Sequence, residues 1–349
     1  MEEIPDKDKK GSSFTIVMNG ERIFANGGNW IPADPFPSKI SKEKYNRLIA
    51  QARDAGMDIL RSWGGGIFEP DAFWHAFTLW GIMITQDFLM ACASYPKEDP
   101  EFVASVKDEI RKGVKIIRNN PCLIFYAGDN ELGAGSSPTG NWSLKKMHET
   151  MTGPLVRSLD PSRVFRPTIP YGGDPNNSVL AGDNHTNAEY TEELRSGDMR
   201  NYREVIDSVC NARFMSEHGT AGAPPKRSLL KFMTESDLAK DEMWEYHTKD
   251  NPYAPPGHLT LYKVVESESN IMYGDRGNDT DKRISQMEYL QYDYVRLSTK
   301  SARRRKFYTS GIQFWMFNDR WPASGWSMVD YYGFRKASWY AATNINRVC

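Results

Sequence analysis

The sequence predicts a (β/α)8 barrel, and three observations lead there. The chain has 349 residues, which suits one large barrel of roughly 250 residues or more with insertions. Short apolar runs alternate with amphipathic stretches along nearly its whole length, the pattern of repeated βα units. Eight of those runs read as strands: Arg22–Asn26, Met57–Trp63, Ile82–Gln86, Cys122–Ala127, Val164–Ile169, Ser178–Ala181, Ala212–Ser216 and Ile312–Phe317. Pattern alone leaves an open doubly wound sheet as the alternative. The chain has no GxGxxG after a strand and no P-loop, which removes support from the nucleotide-binding versions of that sheet.

The elements follow in order. The first 13 residues, rich in charge, read as a leader or linker, with a single barrel expected over 14–349. FTIVMNGERIFANG reads as a hairpin turning at Asn19-Gly20. Ser41–Gly56 reads as a helix, with Ser41 as N-cap and Tyr45, Leu48, Ile49, Ala52 and Ala55 on one face. Asp99–Arg118 is a second helix, its apolar stripe running from Phe102 to Ile117 until Asn119-Asn120-Pro121 ends it. Tyr171–Tyr202 reads as loops around a short strand. The region 218–310 is too long for one βα connection and is expected to be an insertion, with helical patterns at Arg227–Leu238 and Lys282–Lys306. Long loops after barrel strands build active sites.

Composition narrows the function classes. Lys+Arg number 44 and Asp+Glu 45, so the net charge of −1 argues against a chain that coats nucleic acid or an anionic membrane. Arg303-Arg304-Arg305 reads as a solvated helix face. No apolar run approaches the roughly 20 residues that span a bilayer, and the first residues lack the apolar core of a signal peptide. The compartment stays open, with the cytoplasm as default. Four scattered cysteines without a CxxC pair suit buried thiols rather than disulfides or structural zinc. Aromatic residues make up 12%, including 10 Trp. That richness fits sugar binding, where ring faces stack on indoles, and equally fits a Trp-rich core.

Three segments carry the chemistry. In LIFYAGDNELG an apolar strand ends in Asp129-Asn130-Glu131, placing a carboxylate where barrels react and an amide able to bind a hydroxyl beside it. In ARFMSEHGTAG a second apolar strand ends in Glu217. Two carboxylates facing each other across a barrel mouth are what retaining glycoside hydrolysis requires, one attacking and one protonating the leaving oxygen. In GIQFWMFNDRWPASGWSMVDYYG a strand ends among Trp315, Trp321 and Trp326, candidates for a sugar pocket of which at least one is expected in the core. His75, His148 and His258 receive no role.

NGERIFANGGNWIPAD, RSWGGGIFE, QDFLMACASYP, GDNE, FMSEHG and the Trp-rich segment occur in order from about Asn19 to Tyr340. They resemble glycoside hydrolase family 2, most closely its β-mannosidase branch. The resemblance implies Glu131 as acid/base at the end of barrel strand four and Glu217 as nucleophile at the end of strand seven. It implies that Asn130 meets the sugar 2-hydroxyl and that Trp30, Asp34, Arg61, Trp63 and Asp87 stand at the mouth. His185 and Trp315 would line the pocket, with Trp321 a weaker candidate. Arg61 has two readings, a buried structural partner of Asp87 or Glu217, and a charge that keeps the nucleophile ionised.

The expected activity is a retaining exo-β-glycosidase, β-mannoside first, with β-galactoside, β-glucuronide and β-glucosaminide as rivals. A transglycosylase and a non-catalytic carbohydrate-binding barrel are the further alternatives. No metal or organic cofactor is implied, and the partner is a glycoside or oligosaccharide. The chain departs from the family pattern in four respects. The sequence shows no flanking β-sandwich domains, so either a stand-alone barrel or the catalytic domain of a longer parent chain is expected, and Asn187 stands where an aromatic is usual. His218 replaces an aromatic and Asp129 an asparagine.

Overall fold

The structure, a computed structural model, describes residues 1–133, 143–174, 176–186, 199–248 and 259–346. Asn187 and His258 lie outside them. Among the described residues ten strands form, β1 Ile16–Met18, β2 Glu21–Ile23, β3 Ala25–Trp30, β4 Ile59–Ser62, β5 Met83–Asp87, β6 Leu123–Ala127, β7 Val164–Arg166, β8 Asn184–Thr186, β9 Met215–His218 and β10 Gly311–Phe314. β1 and β2 pair antiparallel with Met18 opposite Glu21, and the turn sits at Asn19-Gly20 as expected. Both turn residues take positive φ, +52° and +87°, which asparagine and glycine tolerate best.

β3 to β10 are parallel and hydrogen-bonded in the order β7-β6-β5-β4-β3-β10-β9-β8. The first and eighth barrel strands, β3 and β10, are paired, with Gly27 opposite Gln313. The cylinder is therefore the (β/α)8 barrel that the sequence predicts, curled shut everywhere except between β7 and β8. There Asp183 N–H to the Tyr171 carbonyl, 3.2 Å, and Tyr171 N–H to the Asp183 carboxylate, 3.0 Å, tie the loops together. Under the N-terminal ends of the strands, Phe14 and Ile16 pack with Ala25, Ile59, Met83 and Phe214. Thus the hairpin plugs the bottom and leaves chemistry to the top.

The helices are α1 Lys42–Asp54, α2 Asp71–Trp80, α3 Pro100–Ile117, α4 Lys145–Met147, α5 Gly153–Leu159, α6 Met199–Val209, α7 Lys226–Leu229, α8 Asp241–His247, α9 Leu261–Tyr273, α10 Thr280–Arg304 and α11 Ala337–Asn346. Ser41 caps α1 by accepting from Lys44 N–H, and Tyr45, Leu48, Ile49 and Ala52 are buried as the spacing predicts. Asp99 caps α3 in the same manner, with Pro100 at its first position. No helix among the described residues is long and apolar enough to cross a membrane.

Two local expectations are corrected. The sixth barrel strand is Asn184–Thr186, not Ser178–Ala181. Asn177, at φ +76°, turns the chain before it and accepts from both Asn184 Nδ2 and His185 N–H, so a polar tripeptide becomes the strand. The Arg227–Leu238 helix shrinks to α7. Thr234 and Asp237 bond each other's side chains and backbone N–H groups, a local closure that competes with helix.

Alternation along β9 sends Glu217 and His218 to opposite faces. His218 is buried against α10, where its ring nitrogens meet the Gln313 carbonyl at 2.9 Å and Ser298 Oγ at 3.3 Å. Burial pushes its pKa down to about 4. The folded chain therefore binds fewer protons here than the unfolded chain between pH 4 and 6.5, and stability falls as pH falls through that window. Removing this effect in His218→Phe is expected to shrink the loss of stability between pH 7 and pH 5 by about 2 kcal/mol. Denaturant midpoints of both proteins at the two pH values measure it, and equal pH dependence would refute it.

Candidate active site

Arg61, the third residue of β4, is fully buried and organises the mouth of the barrel. Its Nη2 donates to Asp87 Oδ2 at 2.7 Å and to Asn130 Oδ1 at 2.5 Å. Its Nη1 donates to Glu217 Oε2 and Asn29 Oδ1, both at 2.9 Å. One guanidinium thus ties four strands. The fork geometry needed for these bonds is a property of arginine that lysine lacks. Both readings of Arg61 meet in this one residue, since it pairs with Asp87 and also touches Glu217. Asp87, equally buried, also accepts from Gly64 N–H at 3.1 Å. Burial pushes its carboxyl up to about 6, with Arg61 pulling the other way.

Glu131 follows β6, and its backbone takes φ +65°. A non-glycine residue in that region must be held there, and the hold is visible. Glu131 N–H donates to the Ile169 carbonyl at 2.7 Å, and Asn130 N–H to the Met90 carbonyl at 2.9 Å. Asp129, one residue earlier, accepts from Leu132 N–H at 3.1 Å, Thr168 Oγ1 at 2.5 Å and His148 Nε2 at 2.7 Å. Asp129 and His148 are both buried. His148 therefore anchors the turn that aims Glu131, although the sequence assigns it no role.

The side chain of Glu131 meets His185 Nδ1 at 2.7 Å and Cys92 Sγ at 3.4 Å. His185 also stands 3.7 Å from Glu217 Oε2. Donor atoms of Glu131, His185 and Glu217 all lie within 4.8 Å of one another. That spacing would also admit a cation, but the Arg61 charge, 2.9 Å from Glu217, works against a divalent ion there.

The electrostatics divide the pair. Burial raises Glu131, but the hydrogen bond and charge of His185 win and hold its carboxyl below the usual range. Glu217 is pushed up by burial and by the charge on Glu131, against the pull of His185 and Arg61. His185 itself rises, because Glu217 and Glu131 outweigh burial.

The structure joins Arg61, Asp87, Asn130, Glu131, His185 and Glu217 in one hydrogen-bonded set. Trp63 and Trp315 stand edge to face, 5.3 Å apart and both half-buried, beside it. Asp34 is buried on the loop after β3, engaged by Phe36 N–H at 2.9 Å and Tyr331 Oη at 2.7 Å. Trp321 lies half-buried on the loop after β10. Trp30 is placed differently from the expectation. It is 1% exposed, packed against Tyr45 and Phe73, and its indole donates to buried Glu69 at 2.8 Å. Its body belongs to the core and its nitrogen to an internal carboxylate, so it offers no face to the mouth.

Asn29, Cys92 and His148 are the residues that sequence reasoning missed. Asn29 spans strands one, seven and eight by donating to the Ser216 and Phe314 carbonyls at 3.1 and 3.2 Å while accepting from Arg61. A signal existed only for Asn29, an amide inside a glycine-rich strand. The other two act through partners far away in sequence.

A parallel barrel with two glutamates converging from the ends of strands four and seven defines the class of a glycoside-hydrolase barrel. No protein-family model matches the chain. The β-mannosidase of Bos taurus is 30% identical over 98% of this chain and 41% of its own length. The crystal structure of the β-D-mannosidase of Dictyoglomus thermophilum superposes with a TM-score of 0.85 at 31% identity, over 99% of this chain and 41% of that one. A family 2 β-galacturonidase structure from Eisenbergiella tayi shares the fold, with a TM-score of 0.62 at 14% identity over 97% of this chain and 54% of that one. The chain is a β-mannosidase-like domain of glycoside hydrolase family 2. It spans about two fifths of the length of the β-mannosidases it matches.

Proposed function

We propose that this barrel hydrolyses terminal β-linked sugars, β-mannosides first, with retention of configuration. The observation that carries the reading is the carboxylate pair, with donor oxygens within 4.8 Å across the mouth. Retaining enzymes hold their carboxyl groups about 5–5.5 Å apart, whereas inverting enzymes need about 6.5–9.5 Å to admit a water. The similarity to β-mannosidases favours the mannoside.

In this reading Glu217 attacks the anomeric carbon as Glu131 gives a proton to the departing oxygen. Glu131 then takes a proton from water, the water attacks, and the bond to Glu217 breaks. Glu217 must be ionised for the first step and Glu131 protonated. The proton can come from His185, whose pKa is raised by the two glutamates and which lies one 2.7 Å hydrogen bond from Glu131. Passing it along that bond neutralises His185 and Glu131 together and removes one positive and one negative charge from beside Glu217. A bound sugar that excludes water favours this neutral arrangement. Arg61, donating to Glu217 at 2.9 Å, favours its ionised form against the burial that raises it. Asn130, its oxygen held by Arg61, presents its Nδ2 for the sugar 2-hydroxyl.

The test is hydrolysis of a panel of aryl β-glycosides (mannoside, galactoside, glucoside, glucuronide, glucosaminide), followed by NMR of the first-formed anomer. Release of β-mannose from the mannoside is the expected result. An α-anomer would rule out the double displacement, and preferential cleavage of another glycoside would reassign the sugar.

A further inference from the structure

We propose that a second cavity beside Glu131 receives the leaving group, and that it takes an uncharged, flat ring. The cavity measures about 350 Å3 and is lined by Trp63, the Gly64–Gly66 loop, Leu89, Ala91, Cys92, Ala93 and Tyr95. The proposal rests on the hydrolytic reading above and adds to it the chemistry of the departing half of the substrate.

Placement comes first. In a double displacement the acid stands beside the bond that breaks, on the leaving-group side, and the nucleophile stands beneath the sugar. The cavity shares a wall with the acid: Cys92 Sγ is 3.4 Å from Glu131 Oε2 and accepts from Asn130 Nδ2 at 3.2 Å. Glu217, Arg61, Asp87 and His185 do not line it, and Glu131 borders it through Cys92. A group entering it therefore touches the acid's side of the centre alone.

The walls then define the ligand. None of the lining side chains carries a charge. Burial, with the Glu131 charge next, pushes the Cys92 thiol up, so it stays neutral. The Tyr95 hydroxyl is already engaged with Ala91, accepting from its N–H at 2.9 Å. What remains is ring faces and methyl groups. A charged leaving group would lose hydration here without gaining a partner. A volume at the low end of ligand pockets suits a single ring rather than a chain. The Trp63 indole is set in place by Gly65, where a Cβ would sit 2.0 Å from the ring.

The experiment compares leaving groups on one sugar, whichever the panel shows to be cleaved best. In the unaltered chain, a neutral aryl leaving group should exceed a carboxylate-bearing aryl group of matched acidity at least tenfold in kcat/KM. In Ala93→Phe, which fills the cavity, the ratio of kcat/KM for the 4-nitrophenyl glycoside to that for the glycosyl fluoride should fall at least tenfold. Fluoride is the small leaving group that does not need the cavity. Equal rates for neutral and charged rings, or a parallel fall for both substrates in Ala93→Phe, would overturn the inference and leave the hydrolytic reading standing. If Ala93→Phe does not fold, the comparison in the unaltered chain decides. Absence of turnover on every glycoside would refute the hydrolytic reading, and the inference with it.

Discussion

Glu217→Gly is expected to lower kcat for an activated aryl β-glycoside by about 10^4-fold or more, the scale of losing a covalent nucleophile, and azide should restore turnover as the α-glycosyl azide. The argument is geometric. Removing the carboxylate opens a small anion-sized space on the face opposite the leaving group, beside the Arg61 guanidinium that is 2.9 Å from Glu217 in the intact site. Azide entering there attacks once, with inversion. Glu131→Gly predicts the opposite anomer. An activated aryl group needs little proton assistance, so Glu217 still forms the glycosyl-enzyme, and the loss falls on the second step, about 10^2–10^4-fold. Azide then replaces water on the Glu131 side and gives the β-glycosyl azide. Product configurations read by NMR check both outcomes. The same anomer from both variants would reverse or dissolve the division of labour between the two glutamates.

Arg61→Met should be the most destabilising single change in the mouth, at about 3–5 kcal/mol, because it leaves a buried charge without its partner. Asp87 is fully buried and would keep only the Gly64 N–H, while Asn29 and Asn130 would each lose the donor to their amide oxygen. The variant should also steepen the local pH response that Asp87 already gives the parent chain. Without the guanidinium, Asp87 rises further above its unfolded value, so the folded state holds the extra proton. Stability then falls as pH rises from about 4 through and beyond 6, the reverse of the His218 effect. Denaturant midpoints at pH 5 and 7 for the parent chain, Arg61→Met and Arg61→Met/Asp87→Asn measure this. The double variant should recover part of the loss. Midpoints for Arg61→Met equal to those of the parent chain would show that the ion network does not hold the mouth together.

The two glutamates were legible because an apolar run that stops abruptly at a carboxylate is a local signal, and both β6 and β9 display it. The Ser41 cap was legible for the same reason, since it acts on the Lys44 N–H three residues away. The resemblance put Trp30 at the mouth, and its Glu69 partner, 39 residues on, which ties the indole into the core, leaves no local signal. The sixth strand was hidden because its residues, Asn184-His185-Thr186, are polar. His148 and Cys92 could not be read at all, since neither has a local pattern and each earns its place through a contact with the Asp129–Glu131 turn.

The interruption between β7 and β8 gives the barrel a mechanical weak line. A closed cylinder carries load around its whole circumference, and a gap transfers that load to whatever spans it. Residues before the hairpin do so here: Glu3 pairs with Arg166 at the end of β7, Ser12 N–H donates to the Leu180 carbonyl ahead of β8, and Asp6 pairs with Arg213 ahead of β9. They act as a hoop across the split. His185 rides on the strand at its edge, so the hoop bears on the reach of the imidazole toward Glu131.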